Sequence, residues 1–141
     1  MLNKYILIKK TENQLKANFY KRNVNGLNGF EDFNDFLEWY NSTEKKCCYC
    51  GISENIVQEI VTKGLLTSKR FPQNGKTGRG KARGMWLEVD KFNPKGLYSR
   101  NNCVLACYFC NNDKSDVFGG QEYLDFHQNR ESYLKNLLNK D

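Results

Sequence analysis

Two Cys-x-x-Cys pairs, Cys47/Cys50 and Cys107/Cys110, constrain this 141-residue chain more than any other feature. Two residues between cysteines let both thiolates converge on one tetrahedral ion, and two such pairs complete a four-cysteine zinc site with no open position. The 56 residues from 51 to 106 separate the pairs, against about 15–20 in an ordinary zinc ribbon. A folded unit must therefore lie between them. Such a closed site is structural: it holds 47–50 against 107–110 and adds folding energy that a small core lacks. A thioredoxin-like redox pair would need a βαβ setting that neither pair has, and disulfides would need an oxidising compartment. The apolar run Tyr5 to Ile8 is too short for a signal peptide or a membrane span. A cytoplasmic protein with reduced thiols and no membrane contact is expected. Cys48 and Cys103 are left as small buried or half-buried thiols, with Cys48 open as a substitute for Cys47.

Charge is distributed unevenly. The net +6 resolves into a neutral stretch 1–61, a stretch 62–100 with ten Lys/Arg against only Glu88 and Asp90, and an acidic stretch 101–141. A basic middle third is the footprint expected for a polyanion such as nucleic acid, although a solvated loop would have the same composition. Residues 68–84 read as a loop in which Gly75, Gly78, Gly80 and Gly84 interleave with Lys76, Arg79, Lys81 and Arg83. These four cations are candidates for the DNA backbone. The stretch 75–81 imitates a P-loop, but Ala82 stands where a hydroxyl must hold magnesium and no strand leads into it, so nucleotide binding is rejected.

Hydrophobic periodicity predicts an amphipathic helix over Phe30–Tyr40 and a second from a Ser53 cap to a Gly64 stop. Strands are expected at Met85–Val89 and Asn102–Leu105 and a helix over Phe109–Ser115. A C-terminal helix follows Gly119-Gly120, with Tyr123, Phe126, Tyr133, Leu134, Leu137 and Leu138 as its stripe.

Between the cysteine pairs lie Leu87-Glu88-Val89-Asp90-Lys91-Phe92-Asn93-Pro94 and Asn102 to Lys114, with Asn102 five residues before Cys107 and Asn111 directly after Cys110. This arrangement resembles the HNH (ββα-metal) endonuclease family, and within it a rare-cutting restriction-enzyme branch. The likeness to that branch rests on Tyr-Cys-Gly-Ile-Ser-Glu at 49–54, Val89-Asp90-Lys91, Tyr98-Ser99 and the Leu105-to-Asn111 stretch, and covers residues 45–118. That branch carries a further N-terminal cysteine cluster, and residues 1–46 here hold no cysteine. The resemblance implies an α+β fold: a small zinc-stapled ββα-metal core at 47–118, a helical extension at 1–46 and a C-terminal helix at 119–141, in one domain.

The chemistry can be stated from the residues. Phosphodiester hydrolysis needs an activated water and a charge to absorb the developing 3′ oxyanion. One hard cation held by a carboxylate and an amide oxygen, Asp90 and Asn111, meets the second need, and Mg²⁺ or Mn²⁺ suits oxygen ligands. Lys91 stands where the family has its general-base histidine, and a protonated lysine is a poor base. In the restriction-enzyme likeness a basic residue there holds phosphate and a downstream tyrosine takes over, which assigns Lys91 and Tyr98 to those roles. A hairpin-core aromatic is the other reading of Tyr98. Asn102 joins them as a candidate catalytic residue by its match to the family pattern. Glu88 is either an accessory to the cation or an outward strand residue, and Lys114 either contacts phosphate or caps its helix. The sole histidine, His127, is expected to face solvent.

Three functions follow from these features. The first is a sequence-specific DNA endonuclease of restriction or homing type. The second is an inactive zinc module that binds nucleic acid, and the third a zinc-stapled protein-interaction domain. A carboxylate in the most basic region favours the first, since it would repel phosphate unless a cation sat between them. Double-stranded DNA is the expected partner, and a palindromic target would call for a two-fold homodimer.

Overall fold

The computed structural model describes residues 4–72, 83–127 and 130–139. The candidate cations Lys76, Arg79 and Lys81, and the P-loop-like stretch 75–81, lie outside the described residues. In chain order the elements are α1 (Glu12–Val24), α2 (Phe33–Ser42), α3 (Glu54–Thr62), β1 (Glu88–Lys91), β2 (Cys103–Ala106), α4 (Tyr108–Lys114), α5 (Gly120–Phe126) and α6 (Arg130–Asn139). β1 and β2 pair antiparallel, with Glu88 opposite Ala106 and Lys91 opposite Cys103, and α4 packs on β1. This hairpin plus helix is a ββα unit flanked by helices, the expected α+β arrangement. Among the described residues no helix is long and apolar enough to cross a membrane.

Helix α1 escaped the sequence reading. It has a full capping box at Thr11 and Gln14, yet only Leu15 and Phe19 are buried. Two apolar contacts one turn apart are too thin a stripe to register as periodicity. Helix α2 starts three residues later than expected because Asp32, in extended backbone, caps it by accepting from the Asp35 N–H at 2.8 Å. Phe30 stays outside the helix and packs edge-on to Phe36 at 5.3 Å. Phe19 meets both Phe33 and Phe36 at 5.7 Å, which clamps α1 to α2. Burying each such side chain is worth about 1.5–3 kcal/mol.

Helix α3 follows the expected span and is succeeded by Gly64 at φ 69°, a conformation that favours glycine. Its polar side chains organise the chain before β1. Gln58, fully buried, accepts from the Tyr5 hydroxyl and the Ile8 N–H, both at 2.7 Å, and donates to the carbonyls of Ile8 and Met85. Glu54 accepts from the Leu87 N–H at 2.9 Å. Met85 to Leu87 is therefore buried but tied to α3 side chains, and the strand runs 88–91 rather than 85–89. The C-terminal helix is two helices: the chain leaves α5 at His127, which is extended. His127 does not simply face solvent; its ring stacks on Tyr123 at 4.4 Å. The side chains of Phe126 and Tyr133 lie outside the described residues.

Candidate active site

The four predicted thiols converge. The Sγ atoms of Cys47, Cys50, Cys107 and Cys110 all lie within 4.8 Å of one another, and Cys50 and Cys107 are 3.9 Å apart. A tetrahedral ion with zinc–sulfur bonds of about 2.3 Å would set its ligands about 3.8 Å apart, so the chemistry and spacing of the donor set suit zinc. The first pair sits on a tight turn, with Gly51 at φ 83° donating to the Cys47 carbonyl at 2.9 Å. Cys48 is exposed and its N–H donates to Leu105 at 2.8 Å, pinning this turn to β2. The four-thiol cluster therefore includes Cys47 and not Cys48. Cys107 occupies the N-cap of α4, where its sulfur accepts from the Cys110 N–H. Cys103 is an ordinary core thiol whose pKa burial pushes up to about 12.

The Cys47–Cys50 turn also reaches Asp90. Tyr49, which lies between Cys47 and Cys50, donates its hydroxyl to Asp90 Oδ2 at 2.6 Å. The Lys114 ammonium sits 3.3 Å from the same oxygen and donates to the Lys91 carbonyl at 3.1 Å. Lys114 is wholly buried. It is therefore no surface contact for DNA: it faces β1 from one turn beyond Asn111 and neutralises Asp90.

Glu88 and Asp90 alternate on β1 and so share a face, while Asn111 and Lys114 are one turn apart on α4. The two rows match: Asn111 Nδ2 donates to Glu88 Oε1 at 2.8 Å, as Lys114 meets Asp90. Glu88 is gripped in turn by Arg83, whose Nε and Nη2 reach its two oxygens at 2.9 and 2.6 Å. Arg83, also stacked over Tyr108 at 4.6 Å, is thus committed to Glu88 rather than left as a loose DNA-binding cation. Glu88 holds the Asn111 amide nitrogen, which leaves the amide oxygen for a cation. Among the described residues Asp90 Oδ1 likewise has no hydrogen bond, since both contacts fall on Oδ2. An amide oxygen and a carboxylate oxygen are the hard donors that Mg²⁺ or Mn²⁺ takes.

This geometry has a match among solved structures. The chain superposes on the rare-cutting HNH restriction endonuclease PacI with a TM-score of 0.63 and 26% identity, covering 86% of this chain and 78% of that one. The fold is HNH-like. No protein-family model and no curated protein sequence matches the chain. The PacI structure is described through a mechanism of DNA perturbation by that enzyme.

Within this PacI-like frame the remaining candidates separate. Asn102 does not face the Asp90 cluster. Its side chain accepts from the Asn93 N–H at 2.9 Å and donates to the carbonyls of Asn93 and Leu97, both at 3.0 Å, closing the loop between β1 and β2. These three bonds give Asn102 a loop-closing role. Asn102→Ala is expected to cost about 1–3 kcal/mol of stability, read as a lower urea midpoint at unchanged m. A midpoint equal to wild type would mean that the loop closes without it.

Lys91 and Tyr98 do come together: the Lys91 ammonium lies 5.3 Å from the Tyr98 ring centroid. Tyr98 is anchored by its backbone to Leu27 at 2.8 Å and to Gly29 at 2.7 Å. Burial raises its phenol above the usual range, against a smaller opposing pull from Arg22. Sequence reasoning passed over Tyr49, Arg22 and Lys10 and left Glu88 undecided. Tyr49 could have been found from its place between two cysteines of the four-thiol cluster.

Proposed function

We propose that this protein is a metal-dependent endonuclease that hydrolyses phosphodiester bonds in double-stranded DNA, sequence-specifically, in the manner of a restriction or homing enzyme. One observation carries the reading: Asp90 and Asn111 stand on facing elements of a cysteine-stapled ββα unit similar to that of an HNH restriction endonuclease. Zn²⁺ at the four cysteines would be structural. Mg²⁺ or Mn²⁺ at Asp90 and Asn111 would supply positive charge to the scissile phosphate and the leaving 3′ oxygen. The nuclease core would be residues 47–118, and a palindromic target would require a homodimer, since one such site cuts one strand. Lys91 would hold the phosphate as a point charge. Lys76, Arg79 and Lys81 would add backbone contacts.

Tyr98 would accept the proton of the attacking water, and only its phenolate can do so. Because burial raises the Tyr98 pKa, the phenolate is scarce at neutral pH and grows as pH rises. Cleavage should therefore accelerate with pH through the alkaline range, and Tyr98→Phe should abolish both the rise and most of the rate. A flat wild-type profile would rule Tyr98 out as the base.

The primary test is nicking or linearisation of supercoiled plasmid by zinc-loaded protein, with Mg²⁺ or Mn²⁺ added or withheld. Discrete fragments would establish sequence-specific cutting. A rival reading, a nucleic-acid-binding module without catalysis, is favoured by one observation: Lys114 already neutralises Asp90. Duplex binding without cleavage under every metal condition would decide for it.

A further inference from the structure

Arg22, in the last turn of α1, is the least explained cation among the described residues. Its guanidinium carbon lies 5.0 Å from the Phe36 ring centroid and 5.2 Å from that of Tyr98. Its Nη2 is buried from solvent and has no hydrogen-bond partner among the described residues. The rings cover a guanidinium by cation–π contact. They do not satisfy its in-plane N–H fork, and leaving such donors unmet in a buried place is costly. No carboxylate forms an ion pair with it among the described residues, whereas Arg83 and Arg100 have theirs.

Arg22 opens on a groove of about 390 Å³ between α1 and β1, which Lys10, Gln14, Glu88, Val89 and Asn111 also line. Lys10 lies over Trp86 at 5.9 Å and, among the described residues, has no anionic partner within ion-pair distance. Burial lowers the pKa of both cations; at Lys10 the attraction of Glu88 and Glu54 opposes it, while Arg22 repels. Two cations without an ion-pair partner among the described residues, one of them with a buried N–H group unmet, thus share a groove with the asparagine whose amide oxygen is left for a cation. Turned toward the groove, the guanidinium would offer its unmet N–H groups to a tetrahedral oxyanion, which accepts two parallel N–H bonds.

We propose that Arg22 and Lys10 form the seat of a backbone phosphate in the DNA strand presented to Asn111. The N-terminal helix then supplies part of the substrate site. The identity of the strand rests on the nuclease reading; the presence of an anion seat rests on the groove alone.

The test is duplex binding by zinc-loaded protein without Mg²⁺ or Mn²⁺, with a fluorescent duplex titrated at several KCl concentrations. Each phosphate contact contributes about 0.9 to the slope of log affinity against log salt. Arg22→Gln and Lys10→Gln should each lower that slope by about 0.9, while Arg22→Lys keeps the slope but binds more weakly for want of the fork. Unchanged slopes in folded Arg22→Gln and Lys10→Gln would overturn the proposal and leave Arg22 a cation held by two rings. If Arg22→Gln fails to fold, Lys10→Gln at the half-buried rim carries the test. Inorganic phosphate raising the wild-type melting temperature, with slopes unchanged in the variants, would mean a small-anion site and would overturn the backbone assignment. Reduced slopes in the variants of a wild type that never cuts would sink the nuclease reading and leave the seat standing. A wild type that cuts, with unchanged variant slopes, would do the reverse.

Discussion

Asp90→Asn is expected to lower plasmid cleavage by about a thousandfold or more, the scale of losing the principal charge stabilisation of a transition state. The amide keeps the shape of the carboxylate and can still accept from Tyr49, but it no longer offers a cation a negative oxygen. The substitution has a second consequence. Lys114 is wholly buried and 3.3 Å from Asp90, so a neutral amide leaves its ammonium without a counter-charge. Removing one partner of a buried pair typically costs about 3–5 kcal/mol. Thermal melts must therefore accompany the cleavage assay, at a temperature where the variant remains folded. Cleavage within a few-fold of wild type by folded Asp90→Asn would show that Asp90 holds no catalytic cation, and its role would reduce to neutralising Lys114.

Zinc removal should have the largest effect on the fold. The four cysteines join two turns that the sequence sets far apart, and each turn starts something the site needs. One carries Tyr49 to Asp90; the other caps α4 and so places Asn111 and Lys114 along β1. Structural zinc is worth about 10–16 kcal/mol in small domains, as much as the whole net stability of a typical domain, about 5–15 kcal/mol. Without the ion, four thiols crowd within 4.8 Å with nothing to hold them. Stripping zinc, or Cys107→Ser, should abolish cooperative melting and near-ultraviolet dichroism, and zinc should restore both to the stripped wild type. Metal analysis should find one zinc per chain. A cooperative melt within a few degrees of wild type after complete stripping would show that the aromatic core alone carries the fold.

How much of the site was legible follows from how each residue is specified. The convergence of the four thiols was readable because spacing is itself the chemistry: two residues between cysteines let each pair approach one point. Asp90 and Asn111 were readable as positions in a motif, and the hairpin and helix that carry them were placed within a few residues. The start of β1 was misplaced because α3 claims the Met85 carbonyl and the Leu87 N–H through Gln58 and Glu54, a pairing that no local propensity encodes. Glu88 stayed ambiguous for a similar reason: its face is given by alternation, but its partners Arg83 and Asn111 are given only by packing.

Lys114 makes the same point more sharply. A lysine in a polar helix reads as a surface cation, and only the contact with β1 turns it into the buried partner of Asp90. Arg22 reads as one more helical arginine until two rings, one from α2 and one from the β1–β2 loop, enclose it.

The sequence by itself determined the composition of the candidate site: four thiols of the kind a soft ion takes, a carboxylate and an amide of the kind a hard one takes, and a basic stretch suited to a polyanion. These are properties of side-chain chemistry and short-range spacing, and they do not wait on the fold. Tertiary structure alone decided which charges are available. Lys114 and Arg83 are spent on Asp90 and Glu88, while among the described residues Arg22 keeps a buried N–H group without a hydrogen-bond partner. Contacts across 41 residues for Tyr49 with Asp90, and 23 for Glu88 with Asn111, are set by how the hairpin, α4 and the zinc turns pack together. The free energy of a charge depends on its neighbours and its solvation, and neither exists until the chain has folded.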